Sequence, residues 1–415
     1  VVTDCPKTRD AAPREERLNP HFGTRHECGV VVLTTSPQEE HSFWVDIGAA
    51  ARSGRYAIGL LFFSQDCFPA DAIRSRMAEH APELTYAACS TAGEIGGPDE
   101  EVGQCLAVLF PKDLFLATAV RIDGIRTIGF DRIVAQVKDA RQTFANTGDA
   151  LSRTTDSGDV FAICLIDGMS VVEEMVTAAL HWALEDIPLL GGSAGDSMRF
   201  KKTSLILDGE IGDNCAIVLF FRSMVPFKIF KTDNFVPTDR KLVVTSSDPE
   251  RRIIYEFNAA EAAAEYARAV GIDPAALSPM SFASHPLVVR VGGEYYCRSV
   301  QKVNPDGSLS FFCAIDDGIV LTVAEPTGMT RSTNEAFENV VGEIGDIDFV
   351  LGFDCVLRRI DAQNRQATQR IQKIYQKYNV VGFNTYGEQY LSMHLNQTFT
   401  GIAFARLPEA AAGAT

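Results

Sequence analysis

Positive charge is scarce in this chain. Across 415 residues, 38 Lys+Arg stand against 54 Asp+Glu, giving a formal net charge of −16, and no run of five or more basic residues occurs. Nucleic acid and anionic membrane surfaces both need a basic footprint, so neither is expected as a partner. Uninterrupted apolar runs of membrane-spanning length are absent, as is an N-terminal apolar signal region. Ten cysteines show no CxxC pair and no Cys/His pair at zinc-ligand spacing. Cys105, Cys164 and Cys215 instead sit in apolar strand-like runs, as small buried residues in a reducing compartment would. The expectation is a soluble cytoplasmic protein. The catalytic signatures GxSxG and HExxH and the kinase set are missing. So are the GK[ST] of a phosphate loop and the GxGxxG of a dinucleotide site.

What is present is a composition of 46% hydrophobic and 22% charged residues, that of a folded protein, at a length that suggests two domains. A hydroxyl-x-Gly-acid turn recurs three times, at Thr91–Glu94, Ser193–Asp196 and Thr385–Glu388. Around each copy the order is apolar strand, helix, second apolar strand, turn, closing strand, which indicates an internal repeat. In the first copy Ile58–Phe63 is a continuous apolar run, the pattern of a strand buried on both faces. A helix after Pro69, a strand over Leu84–Cys89 and a closing strand over Cys105–Phe110 follow; a strand at Val30–Leu33 and an amphipathic segment through Trp44, Ile47 and Ala51 precede them. The second copy has a strand at Val160–Ile166, a capping box from Ser170 and Glu173, a helix with Val176, Ala179, Leu180 and Ala183 on one stripe, and a closing strand at Cys215–Phe221. His181 beside that stripe reads as a half-buried packing residue.

Beyond Thr245 the texture changes. A helix capped by Asn258 and ending at Gly271 leads to four strands, over His285–Val291, Glu294–Val303, Leu309–Ala314 and Ile319–Val323. Gly292-Gly293, Asp306-Gly307 and Asp317-Gly318 supply tight turns, so an antiparallel meander is predicted. The third copy follows, with strands at Phe349–Phe353, Val380–Phe383 and Gly401–Ala405 and a helix presenting Ala367, Ile371, Ile374, Tyr375 and Tyr378. The predicted fold is α/β in two domains: mixed sheets flanked by helices, a recurring strand-helix-strand-turn-strand unit, and the meander in the second domain. The divisions are a loose tail over 1–28, a first domain over 29–247, a second over 248–407, and a tail over 408–415.

The turns offer a glycine that lets backbone approach a ligand, flanked by a hydroxyl and an acid. The plainer reading is that hydroxyl and acid tie the turn to its own backbone, and it is favoured for at least one copy. The Gly191–Gly195 run is only weakly like a phosphate cradle. Among seven scattered histidines, His394 follows the third turn and His285 opens the meander. Either could ligate a haem iron, and either could be a histidine hydrogen-bonded at a strand edge. Cys5-Pro6 carries little weight as a haem-regulatory pair.

The blocks CSTAGEIGG (89–97), LLGGSAGD (189–196), HPLVVRVGGEYYCRSVQ (285–301) and VVGFNTYGEQYLSMHLNQTFTG (380–401) resemble the FIST family, a sensory module of paired N- and C-terminal domains. The resemblance spans roughly residues 29–407 and is strongest to the stand-alone nitric-oxide-sensing haemoproteins of that family. It implies haem b held by a histidine, with nitric oxide as signal. The implied partner is a histidine kinase, or a diguanylate cyclase or phosphodiesterase acting on cyclic-di-GMP. It puts the iron ligand at His394, with His285 as alternative; Tyr386, Gly387, Glu388 and Asn396 line the pocket, and Arg290, Tyr296 and Arg298 serve propionates or pocket. With no output domain expected beyond residue 408, the signal would leave through a protein contact, and a homodimer is compatible with it. A FIST module for another small molecule, such as an amino acid or metabolite, is the rival reading. An enzyme using Glu94, Asp196 or Glu388 as acid-base groups ranks below both.

Overall fold

The computed structural model describes residues 23–96, 103–151 and 159–407. The Cys5-Pro6 pair and the tail after 407 lie outside the described residues. The expected loose tail does not extend to 28: Gly23–Arg25 forms a short strand, antiparallel to Val31–Thr35.

Three copies of one unit make the body of the protein; the first two are one strand and one helix longer than the repeat read from sequence, and the third is one strand and two helices longer. The first contains strand Val31–Thr35, α1 (Glu40–Arg52), strand Tyr56–Phe63, α2 (Ala70–His80), strand Tyr86–Ser90 and closing strand Cys105–Pro111. The second contains Phe115–Asp123, α3 (Phe130–Leu151), Asp159–Ile166, α4 (Glu173–Leu184), Leu189–Ser193 and Cys215–Ser223. The third opens with Phe227–Thr232 and is interrupted by an inserted sheet carrying α5 (Ala262–Val270) and α6 (Pro279–Ser284). It resumes with α7 (Met329–Ile344), Ile347–Cys355, α8 (Val356–Asn364), α9 (Thr368–Lys377), Val380–Thr385 and Phe399–Ala405. In all three the strand order is first, closing, second, third. The second and third strands run parallel, as a helical crossover requires, and the other pairs are antiparallel.

The continuous apolar second strands are explained by cover on both faces. One face meets its own helices; the other meets a core shared by all three units. Phenylalanines close every junction of that core. Phe110 meets Phe221 at 5.0 Å, Phe62 meets Phe383 at 4.8 Å, and Phe161 meets Phe404 at 6.0 Å between ring centroids. Short strands then lock the ring, each leaving its own unit to extend a neighbour's sheet. Glu94–Ile95 pairs with the third unit, Leu205–Leu207 with the first, and Glu388–Tyr390 with the second.

The insertion spans the strands from Phe235–Asp248 to Val320–Pro326 and forms an antiparallel sheet that curls toward closure. Gly292, Gly293, Gly307 and Gly318 all have positive φ at its turns, as their spacing predicts. The run expected as one strand over Glu294–Val303 breaks at Ser299 into Glu294–Arg298 and Val300–Val303, which occupy opposite edges of the sheet. The division expected at 247/248 falls at the end of the long strand Phe235–Asp248, and Phe227–Thr232 pairs with the last strand of the third unit.

Three local expectations are corrected. Glu173 is the first residue of α4 rather than a capping partner of Ser170; it is buried, and its carboxylate is taken by Arg252 at 2.5 Å. Asn258 does not cap α5, which starts after Glu261. It has φ 52° at a hairpin, where its Oδ1 accepts from the Val243 amide at 3.0 Å. His181 is exposed, beside the equally exposed Trp182, because both fall on the solvent side of α4.

Candidate functional site

The three repeated turns come together at one end of the ring. The Ala92 amide donates to the Asn384 carbonyl at 3.0 Å and the Asn384 amide to the Gly93 carbonyl at 2.7 Å. Gly195 N donates to Ser90 O at 3.0 Å, Ser193 N to Gly387 O at 2.8 Å, and Tyr386 N to Ser193 O at 3.1 Å. Glycine is required at the second copy by this approach: a Cβ on Gly195 would sit 2.8 Å from the Ala92 amide nitrogen.

In the first and third turns hydroxyl and acid bond each other; in the second the Ser193 hydroxyl accepts from Gln389 Nε2 at 2.9 Å and the acid holds the loop beyond the turn. Thr91 donates to Glu94 and Thr385 to Glu388. Asp196 accepts the amides of Phe200, Lys201 and Lys202 at 2.8, 2.7 and 3.0 Å, together with the Tyr386 hydroxyl. Burial drives both glutamates upward, Glu94 to about 7 and Glu388 to about 8, against the hydrogen bonds from their threonines. The acids do not converge on one cavity as an acid-base pair.

A cavity of about 600 Å³ opens at the junction of the first and third units. Gly93, Glu94 and His26 form one wall; the end of strand Ile347–Cys355, α8 and α9 form the other. At its base Asp354 and Arg358 make a buried pair, Nε to Oδ1 at 2.8 Å, and the Tyr375 hydroxyl donates to the second Asp354 oxygen at 2.8 Å. Arg359 Nη1 donates to Asn384 Oδ1 at 3.1 Å. Four glutamines, Gln363, Gln369, Gln372 and Gln376, add amide groups, while Val32, Ile95 and Ile371 add apolar surface. Mixed apolar and polar lining with a few fixed polar groups is the texture of a small-molecule site. His26 is buried beside Phe349, and burial lowers its pKa, so it is a neutral wall residue at pH 7.

The residues expected at the site lie elsewhere. Tyr386 and Glu388 are buried in the turn cluster, and Asn396 donates to the Tyr386 carbonyl at 3.4 Å. Arg290 is exposed over Tyr295, Tyr296 faces Lys231, and Arg298 bonds the Cys297 carbonyl, all on the inserted sheet. His394 is buried; its Nδ1 faces the Gln389 amide at 3.0 Å. A Cβ on Gly387 would lie 2.7 Å from its Nε2, so backbone covers the other nitrogen. Burial takes its pKa down to about 4. A haem iron does not fit against His394 in this conformation. His285 is half-buried, and its Nδ1 donates to the Ser281 carbonyl at 3.2 Å, which leaves Nε2 as a lone-pair donor. Neither histidine lines the cavity. Among the described residues no group of three or more His, Cys, Asp or Glu is placed to hold a metal ion, and no helix is long and apolar enough to cross a membrane.

His26, Asp354 and Arg358 were not singled out by sequence patterns. His26 sits in a polar segment without periodicity. The other two had a signal: opposite charges four apart, directly after a continuous apolar strand.

Family models match in two consecutive blocks, the FIST N domain over residues 57–260 and the FIST C domain over residues 262–391. No curated protein matches. Among solved structures the chain is similar to one titled "Crystal structure of Chorismatase at 1.08 Angstrom resolution", at 9% identity. That match covers 84% of this chain and 93% of the other with a TM-score of 0.32, a likeness too low to bear on activity.

Proposed function

The chain belongs to the FIST family, whose domains are sensory modules that bind small ligands, and we propose that its ligand occupies the cavity between the first and third units. The observation that carries this is the cavity's make-up: an open cleft of about 600 Å³ between two units, with fixed hydrogen-bonding groups at Asn384, Arg359 and Glu94. A molecule of amino-acid or small-metabolite size suits such a space, since its polar ends can meet amides and charged groups while its body lies on Val32, Ile95 and Ile371. The role is sensing, not catalysis. Isothermal titration calorimetry with a panel of amino acids and central metabolites tests it. Saturable one-to-one binding, lost on Asn384→Ala, is the expected result; no heat from any member would count against it.

The narrower reading is a haem b protein that senses nitric oxide and acts on a histidine kinase or a cyclic-di-GMP enzyme. One geometric feature favours it: His285 keeps Nε2 uncommitted behind an Nδ1–H bond to backbone, the arrangement that metal-ligating imidazoles use. When bound, haem would supply an iron that takes nitric oxide. Titration with haemin tests this directly. A stoichiometric Soret band that His285→Ala abolishes and His394→Ala retains would support ligation at His285; no band in the unmodified protein would end it.

A further inference from the structure

Resting on the cavity as ligand site, we infer that its occupancy is transmitted to the inserted sheet through α8, with Arg358 as the link. Three observations converge on that helix. One face of α8 lines the cavity with Arg358, Arg359 and Gln363. Elsewhere Asp361 accepts from the Ser284 hydroxyl of α6 in the insertion at 3.2 Å, so the same helix touches cavity and insert.

The third observation concerns how the insertion is attached. It leaves the third unit after Phe227–Thr232 and returns at α7, so two connectors define its hinge. Arg358, 2% exposed, holds both: Nη1 donates to Asn234 Oδ1 at 3.0 Å on the outgoing connector, and Nη2 to Thr333 Oγ1 at 3.0 Å in the first turns of α7. The connectors also bond each other, Thr327 N to Asn234 O at 2.6 Å. On the cavity side the guanidinium is oriented by Asp354, which is held by Tyr375 of α9. A planar guanidinium with fixed donor directions cannot turn toward one partner without loosening another. A ligand that moves α8 against α9 therefore changes the grip on the hinge, and the insertion samples a different orientation.

The test needs no natural ligand. A bimane tethered to Gln372→Cys, in a Cys5→Ser/Cys67→Ser background, places an occupant in the cavity. Hydrogen exchange is then followed in peptides covering 230–237 and 326–334. The expected result is a change of about three- to tenfold in connector exchange, the range set by one hydrogen bond, without change in strand Cys215–Ser223. In Tyr375→Phe, which keeps the ring but drops its bond to Asp354, and in Thr333→Val, the connector response falls to less than half. Exchange that changes only around α8 and α9, or a connector response undiminished in both variants, would overturn the inference. Because the occupant is tethered, a failure here is separate from failure of the calorimetric test, which concerns whether the cavity takes a natural ligand.

Discussion

Removal of the Arg358 side-chain charge by Arg358→Met is the most informative single perturbation of this fold. The guanidinium is buried and makes three hydrogen bonds, to Asp354, Asn234 and Thr333. Methionine fills much of the volume but leaves a buried carboxylate with the Tyr375 hydroxyl as its hydrogen-bond partner and the Arg359 charge as the nearby cation. Breaking one side of a buried ion pair costs about 3–5 kcal/mol, whereas replacing both sides costs far less. Urea unfolding at pH 7 should show that loss for Arg358→Met and a clearly smaller one for Asp354→Asn/Arg358→Met. The deficit should also depend on pH. Asp354 is already raised by burial despite Arg358, and loss of the cation raises it further. A carboxyl whose folded pKa exceeds its unfolded value binds protons more readily when folded, so its contribution improves as pH falls. The gap between Arg358→Met and the unmodified protein should therefore narrow from pH 7 toward pH 5. A loss below about 1 kcal/mol at pH 7, the scale of a solvated surface pair, would refute the reasoning.

Glu388→Gln mimics the protonated acid. Since Glu388 is raised to about 8 by burial, the unmodified protein loses stability relative to this variant as pH rises from about 5 to 7, by about 1 kcal/mol per pH unit; parallel stability–pH curves would contradict that. Gly195→Ala forces a methyl against the Ala92 amide and should cost about 1–3 kcal/mol in thermal or urea unfolding, while Gly54→Ala, with nothing within 4 Å of its Cβ, should pay only for its φ of +66°. Trp182→Gln, at a side chain 65% exposed, should leave stability within about 0.5 kcal/mol by the same assays.

Much of the architecture was legible before any coordinates. Ile58–Phe63 reads as a doubly covered strand, and Val160–Ile166 and Phe349–Phe353 as strands, because the ring gives each a core face and a helix face. The repeated turn was legible because each copy is packed against at its glycine, by the Ala92 backbone at Gly195, the Arg359 guanidinium at Gly93 and the His394 ring at Gly387. What could not be read was the meeting itself: a four-residue match carries no information about which third strand Glu94–Ile95 or Glu388–Tyr390 will extend. That choice is made by long-range pairing and by shared phenylalanines, which no local pattern encodes. The same limit explains the site. The third turn drew attention through Tyr386 and His394, yet the turn that opens onto the cavity is the first, through Gly93 and Glu94. The opposite wall belongs to the polar faces of α8 and α9, whose glutamines look like ordinary solvated helix surface until a second unit faces them.

The central claim is that the ligand sits between the first and third units, and one cavity-filling substitution tests it most directly. Gln372→Trp places an indole in the cavity from a half-buried position on α9 that belongs to none of the hydrophobic cores. Any metabolite that binds the unmodified protein by calorimetry should lose at least about tenfold in affinity to this variant, with its unfolding midpoint unchanged in the absence of ligand. Equal affinity for both proteins would contradict the account and move the site out of this cavity.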